Sequence, residues 1–303
     1  MVSDLWWPIQ CHVNRISKGS MPAVHHYTSA KAALEILTNG TFRFSERAQL
    51  NDCEEITFGV NMACDTLRGS GNEGKADELK KCSDECLRNF YFFSASFSLH
   101  DTKAVEVGND PCLWKRYGER GEGVVLSFEA KMFDTPYERI KKLVGDCNVV
   151  TLPMSYDAEI LKGVLYKIIE IWNGTDIREL SDHVFMISSM FKHPVWAYEN
   201  EYRYFVHQER TTISGKDIFK EENKNGATKR YLEIPIQGFG CDGRIPIHCV
   251  RLGSSLVGDD RTKLQRWLLE NGYFENVDES LGVYIRPQTH PSTFSLSHTL
   301  ISD

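Results

Sequence analysis

The sequence predicts a mixed α+β fold, in which a single domain has a central, mainly antiparallel sheet flanked by helices. Three observations lead to this prediction. Of the 303 residues, 41% are hydrophobic and 25% are charged, which is typical of a soluble globular protein with a sizeable core. Short strand-like segments alternate with helical segments along the chain, and no internal repeat or heptad run is present.

The first complete unit of this pattern lies at residues 24–45. Residues 24–27 are typical of a short strand, and Thr28 and Ser29 supply an N-cap for a helix over 30–37 that ends at Gly40. Residues 41–45 then alternate as a second strand. The order of strand, cap, helix, glycine stop and strand supports an α+β domain.

The later elements are predicted from the same periodicity of apolar residues and from cap and turn residues at their ends. Helices are predicted at 56–68, 75–89, 113–118, 157–172, 177–191 and 259–271. Strands are predicted at 91–98, 124–128, 198–206, 231–236, 250–254 and 282–286. Surface loops are expected at 69–74 and 216–229, where Gly, Asn and charged residues are frequent.

The domain organisation and the compartment are expected to be simple. We expect residues 1–21 to form an N-terminal arm and residues 22–303 to form one domain, with a helical insertion at about 157–191. The nine cysteines include no pair of CxxC motifs, which favours free thiols in a cytoplasmic protein. No apolar run approaches the length of a membrane span, so no membrane partner is expected. A net charge of −7 argues against a general attraction to nucleic acid, although a local basic patch is compatible with it.

The stretch 192–206 is the strongest candidate for a functional site. From Tyr198 onward aromatic and charged residues alternate, so a strand would place Glu199, Glu201 and Arg203 on one face. The two carboxylates would then be about 7 Å apart and could act on one ligand, with Arg203 holding them. A solvated edge strand with cross-strand ion pairs explains the same pattern without a site.

Six motifs of the chain resemble, in the same order, the bacterial family called domain of unknown function 2971. They are His26-Tyr27-Thr28, Asn51-Asp52-Cys53-Glu54-Glu55, Phe97-Ser98, Trp114-Lys115-Arg116-Tyr117-Gly118, Gly121-Glu122-Gly123-Val124-Val125-Leu126-Ser127-Phe128 and Trp196-Ala197-Tyr198-Glu199-Asn200-Glu201-Tyr202-Arg203. The resemblance extends over about residues 24–286. Cys53 is a departure, because the family usually has proline there. The family name implies no activity.

A weaker resemblance links the first unit to ADP-ribosyltransferase-type folds. It depends on His26-Tyr27-Thr28 followed by a capped helix that ends Ile36-Leu37-Thr38-Asn39-Gly40 and by a second strand. The resemblance implies an ADP-ribosyltransferase-like fold that consumes NAD as a substrate. In that superfamily a histidine and a Thr or Ser hold the NAD, an aromatic ring covers the nicotinamide, and a later glutamate binds the ribose.

Carried onto this chain, the resemblance implies catalytic roles for His26 and for Glu201 or Glu199. Arg203 follows Glu201 by two residues and can fix that carboxylate, so Glu201 is expected to be the primary carboxylate and Glu199 to assist it. The residues expected to bind NAD are Tyr27, Thr28, Asn51, Asp52, Ser98, Trp114, Tyr117 and Arg203. Breaking the bond to nicotinamide places positive charge on the ribose, which a nearby carboxylate stabilises. A neutral histidine can donate and accept hydrogen bonds at once, which suits ribose hydroxyls.

Structural roles explain several of these residues equally well. His26 could be a hydrogen-bonded strand histidine, Trp114 and Tyr117 could be helix core at i, i+3 spacing, and Asn51-Asp52 could form a turn and a helix cap.

Three function classes therefore remain. The first is an NAD-dependent ADP-ribosyltransferase-like enzyme, a bacterial toxin or defence effector that modifies protein or nucleic acid. The second is a non-enzymatic module that binds a ligand or a partner on the same fold. The third is a metal-dependent hydrolase that uses Asp52, Glu55, Glu199 and Glu201, and it is disfavoured because no histidines are placed as a ligand pair.

Overall fold

The computed structural model describes most of the chain between residues 23 and 285. The described residues are 23–47, 55–99, 110–128, 140, 142–145, 147–172, 174, 176–210, 219–224, 226–237, 245–275 and 283–285. The expected N-terminal arm lies outside them, as do Asn51 and Asp52.

Within these ranges, eleven strands form one sheet in which every strand pair is antiparallel. The strands are β1 (Val24–Thr28), β2 (Thr41–Glu46), β3 (Phe90–Leu99), β4 (Val124–Phe128), β5 (Asn148–Pro153), β6 (Glu201–Glu209), β7 (Phe219–Lys224), β8 (Ala227–Pro235), β9 (Ile247–Leu252), β10 (Phe274–Glu275) and β11 (Val283–Ile285). The expected mixed fold with a mainly antiparallel sheet is confirmed.

Helices connect the strands and pack on both faces of the sheet. They are α1 (Ala30–Asn39), α2 (Glu55–Gly69), α3 (Glu73–Asn89), α4 (Pro111–Arg116), α5 (Ala158–Trp172), α6 (Ile177–Ser188) and α7 (Gly258–Glu270). One core lies between the sheet and helices α1 and α7, and the other lies between the sheet and helices α2, α3, α5 and α6.

The start of the domain folds as its local signals predict. The Ser29 hydroxyl accepts a hydrogen bond from the Ala32 N–H at 3.1 Å and so caps α1. Gly40 ends that helix at φ 61°, a left-handed conformation in which glycine is favoured. The predicted strand, cap, helix and glycine stop are therefore confirmed.

Two predictions about strands are wrong. Residues 216–229, expected to form a surface loop, include most of the β7–β8 hairpin, in which Asn223 pairs with Thr228. The strand β5 was not expected, and it pairs with β6 along the whole length of β5. Both segments lack the regular alternation of apolar and polar residues by which a strand is recognised in a sequence.

The centre of the sheet is β3, and its two edges are paired differently. One edge pairs with β6 at every position from Phe90 to Ser98. The other edge pairs with β2 only at Phe93 and Ser94, and with β1 only at Ser98 and Leu99. Among the described residues, no ladder partner is recorded on that edge for 95–97. This gap between β1 and β2 is called the seam below.

The helical layer leaves no room for a side chain at Gly59. A Cβ added there would lie 2.1 Å from the Ser188 Oγ and 3.0 Å from the Ser188 Cα, so α2 and α6 touch at this point. We expect Gly59→Ala to lower the free energy of unfolding by about 1–3 kcal/mol, the usual cost of overpacking. Chemical denaturation measures it.

The matched control is Gly163→Ala in α5, where an added Cβ meets nothing within 4 Å. In an open helical position, alanine stabilises by about 0.5–1 kcal/mol relative to glycine. If both variants were stabilised, α2 and α6 would not be in contact at Gly59.

Candidate functional site

The segment that leads into β6 is not the continuous strand that the alternation predicted. Residues Pro194–Glu199 form a 3-10 helix, and Asn200 then turns the chain at φ 40° before β6 begins at Glu201. Proline fits the first turn of a helix, and asparagine tolerates the left-handed conformation. Glu199 is therefore not on the strand, and the predicted parity of Glu199 and Glu201 is wrong.

The turn nevertheless brings both carboxylates to one cation. The Lys192 Nζ donates to the Glu199 Oε2 at 2.6 Å and to the Glu201 Oε2 at 3.2 Å. Arg203 donates to both oxygens of Glu201, at 2.7 Å from Nε and 2.8 Å from Nη2. These four residues form a buried cluster with two positive and two negative charges.

The cluster is too deeply buried for a solvated edge strand. The exposed fractions are 5% for Glu199, 3% for Glu201, 2% for Arg203 and 7% for Lys192. Strand β6 lies between β3 and β5, so neither of its edges faces solvent along its paired length. The alternative of exposed ion pairs is thereby excluded.

Tyrosines complete the polar environment of the two glutamates. The Tyr117 hydroxyl donates to the Glu199 Oε1 at 2.5 Å, and the Tyr156 hydroxyl accepts from the Glu201 backbone N–H at 2.9 Å. Burial is the main cause that raises the pKa of both phenols, and for Tyr117 the hydrogen bond to Glu199 acts in the same direction. Both phenols are therefore neutral at pH 7.

His26 lies at the seam. Its Nδ1 is 3.1 Å from the carbonyl oxygen of Ser96, a residue that β6 pairs on one edge of β3 and that has no recorded ladder partner on the seam edge. Because a carbonyl only accepts, Nδ1 carries the proton and Nε2 is left as an acceptor. The ring packs against Phe42 and Phe97, with centroids 4.7 and 5.8 Å away.

The seam opens into a cavity of about 230 Å³. Because the sheet is open there, residues of different strands and of both faces line one space. The sequence-predicted site residues among its lining are His26, Tyr27, Ser98, Tyr117, Glu199, Glu201 and Arg203. Ser98 joins the two sides, since it pairs with His25 on β1 and with Glu201 on β6.

Other predicted site residues lie elsewhere. Trp114 does not line this cavity, although its ring meets Tyr27 edge-on with centroids 5.5 Å apart, and it lines a second cavity instead. Thr28 ends β1 in a pair with Val124 and is not part of the lining. Trp114, which is expected to bind NAD together with the glutamates, therefore lies outside their cavity. Asn51 and Asp52 lie outside the described residues.

The sequence analysis did not single out Lys192, Trp196 or the β3 residues Ser94 and Ser96 as site residues. Trp196 lines the cavity. The centroid of its ring lies 4.3 Å from the Arg116 Cζ and 5.2 Å from the Lys192 Nζ, so both cations lie over the ring. Ser94 and Ser96 also line it. The alternation of Ser94, Ser96 and Ser98 with apolar residues was the available signal, because it marks one face of β3 as polar.

Residues 113–204 match the family model described as a protein of unknown function (DUF2971). The match supports the resemblance to this family that the motifs predicted, within the matched residues. The DUF2971 match includes Tyr117, Lys192, Glu199, Glu201 and Arg203, whereas His26 lies outside it. It is shorter than the resemblance over 24–286 predicted from the motifs. No curated protein and no solved structure matches the chain.

Among the described residues, no group of three or more His, Cys, Asp and Glu side chains is arranged to hold a metal ion. Of the helices described, none has both the length and the apolar character needed to cross a membrane.

The lowered pKa values of two histidines lead us to expect that the protein is less stable in acid. Burial lowers the pKa of His26 and of His207 to about 4, from about 6.5 in an unfolded chain. A lowered pKa favours the neutral form in the folded state, so their stabilising contribution is complete above pH 6.5 and is lost as the pH falls toward 4. Each histidine lowers the free energy of unfolding by at most about 1.4 kcal/mol per pH unit in this window.

Urea denaturation at pH 7, 6 and 5 measures this slope. The ring of His207 stacks with Phe92 in the apolar core, so His207→Phe removes one titrating group and keeps an aromatic ring. Its unfolding free energy is expected to fall less steeply with pH than that of the unaltered protein. Equal slopes would show that His207 is protonated as readily in the folded chain as in the unfolded one.

Proposed function

We propose that this protein is an NAD-dependent ADP-ribosyltransferase-like enzyme whose reaction takes place in the cavity at the seam. The observation that carries the proposal is the meeting of His26 with Glu199 and Glu201 in the lining of one cavity, although they lie far apart in the sequence. A neutral histidine and paired carboxylates are the groups that the chemistry of N-glycosidic bond cleavage needs.

The size and the polar groups of the cavity fit one end of the dinucleotide. A volume of about 230 Å³ is below the roughly 300–1,000 Å³ of pockets that enclose a drug-sized molecule, so nicotinamide and its ribose would enter while the rest of NAD stays outside. The buried Ser94 hydroxyl lines the cavity and has no hydrogen-bond partner among the described residues. It would bind a polar group of the ligand.

The two glutamates would have different roles. Glu201 is held by the Arg203 guanidinium through two charge-assisted hydrogen bonds, which are costly to break. The Glu199 Oε1 accepts from a neutral phenol, which a ribose hydroxyl can replace at lower cost. We therefore propose that Glu199 touches the ribose and that Glu201 fixes Lys192, in contrast to the sequence-based assignment of Glu201 as the primary carboxylate.

In this reaction the bond between the ribose C1′ and the nicotinamide nitrogen breaks, and its electron pair leaves with nicotinamide. The ribose becomes positively charged, and the negative field of Glu199 stabilises that charge. A nucleophile on the acceptor, which is a protein or a nucleic acid, then forms a bond to C1′ and loses its proton. With water as the acceptor, the products are nicotinamide, ADP-ribose and one proton.

The test is whether the purified protein releases nicotinamide from NAD, alone and with nucleic acid or cell lysate as a source of acceptor. Release above the rate without protein supports the proposal. Binding of NAD without release would favour the non-enzymatic module instead. One observation favours that second candidate, namely that Lys192 and Arg203 already neutralise both carboxylates.

A further inference from the structure

A second cavity of about 540 Å³ lies beside the first. Its wall includes helix α4, the turn at Arg120 and Gly121, and the end of β9. The described residues that line it include three cations, Lys115, Arg120 and Arg251, and no carboxylate. In a chain of net charge −7, such a lining is a local positive field that attracts an anion.

The fold fixes the position of Arg251 and the backbone conformation of Arg120. Arg251 is only 4% exposed, on a strand that pairs with both β4 and β11. Arg120 has φ 57°, a left-handed conformation that is unfavourable for a residue with a side chain. The turn keeps it there, because the Gly118 carbonyl accepts from the N–H groups of Gly121 and Gly123, both at 2.9 Å.

An aromatic ring stands beside the cations. Trp114 lines the cavity and is partly exposed, while the edge-on contact with Tyr27 fixes its orientation. Guanidinium groups bind phosphate oxygens through two parallel hydrogen bonds, and an indole ring stacks on a planar base. The volume of about 540 Å³ lies within the roughly 300–1,000 Å³ typical of small-molecule sites.

We propose that this second cavity binds a nucleotide, with its phosphate groups on Arg120, Lys115 and Arg251 and its base against Trp114. Helix α4 separates this site from the one at the seam, since Tyr117 follows the helix into the first cavity and Trp114 lines the second. The inference does not rest on the proposed NAD cleavage. It is tested by nucleotide binding alone, so the test can be made even if the protein releases no nicotinamide from NAD.

Isothermal titration calorimetry of the full chain with ADP, pyrophosphate and adenosine tests the proposal. ADP is expected to bind at least about tenfold more tightly than adenosine, because the cations contact only the phosphates. Arg120→Gln and Lys115→Gln are each expected to weaken the binding of ADP and pyrophosphate about tenfold, as the loss of a charge-assisted hydrogen bond does. Both side chains are exposed, so these variants should fold, whereas a change at the buried Arg251 could unfold the protein.

The matched control is Lys167→Gln, which removes one positive charge from an exposed position on α5. It should leave all three affinities unchanged. Trp114→Leu is expected to weaken ADP but not pyrophosphate, since only ADP carries a base. The proposal is overturned if ADP does not bind saturably, if adenosine binds as tightly as ADP, or if Arg120→Gln and Lys115→Gln bind ADP as well as Lys167→Gln does.

Discussion

Glu199→Gln is expected to lower the rate of nicotinamide release from NAD by a factor on the order of 100, as the loss of a main transition-state interaction does. The amide keeps the shape of the side chain and can still accept from Tyr117, but it cannot stabilise a positive ribose. Lys192 keeps Glu201 as its partner, so the loss of stability should be modest. Single-turnover assays at saturating NAD measure the rate, and thermal unfolding followed by circular dichroism measures the stability.

The companion variant Glu201→Gln removes the partner of two buried cations. Lys192 would then keep Glu199 as a partner, whereas Arg203 would lose the carboxylate to which it donates two hydrogen bonds. A clear loss of stability is therefore expected, by the several kcal/mol, roughly 3–5, that breaking a buried ion pair costs. Its rate of nicotinamide release must therefore be divided by the concentration of folded protein before it is compared with that of the unaltered protein.

Glu46→Gln is the matched control. Glu46 is buried on β2 and is held by Arg210 and Arg230, at 3.5 and 3.3 Å, and it does not line the cavity. It should lose stability and keep its rate of nicotinamide release. If Glu201→Gln alone were inactive, the sequence-based assignment would be right; if neither glutamate variant were impaired, the cluster would not be the site.

The parts of the fold that the sequence predicts are those with local causes. The cap at Ser29 and the stop at Gly40 are set by residues within one helical turn, so α1 is predicted correctly. Strand β7 and the first residues of β8 were missed because they are mostly charged or polar and show no apolar alternation, so they resemble a polar loop. The hairpin joins the sheet through the pairing of β8 with β2, which no local pattern encodes.

The candidate site was likewise predicted only in part. Alternation in 198–206 correctly marked Glu201 and Arg203 as sharing a face, but it also included Glu199, which reaches the cluster by a turn at Asn200 instead. Lys192 was missed because its role depends on the 3-10 helix that folds Glu199 back toward it. The seam could not be predicted, because it results from the incomplete pairing of β1 and β2 with β3, which is distant in the sequence.

Lys192→Met is expected to lower the free energy of unfolding by about 3–5 kcal/mol, the usual effect of removing one partner from a buried ion pair. Methionine fills a similar volume but cannot donate, so the buried Glu199 keeps only the hydrogen bond from Tyr117 among its recorded side-chain partners. Glu199 and Glu201 would then repel each other without the cation that separates them. Urea denaturation at pH 7 measures the loss.

A double-mutant cycle with Glu199→Gln separates this ionic cause from simple repacking. If the charge on Glu199 is what makes the loss of Lys192 costly, the double variant Lys192→Met, Glu199→Gln should be more stable than Lys192→Met alone. The coupling free energy should fall within the roughly 0.5–3 kcal/mol found for residues in contact. Additive effects of the two changes would show that the cost of losing Lys192 does not come from its ion pair with Glu199.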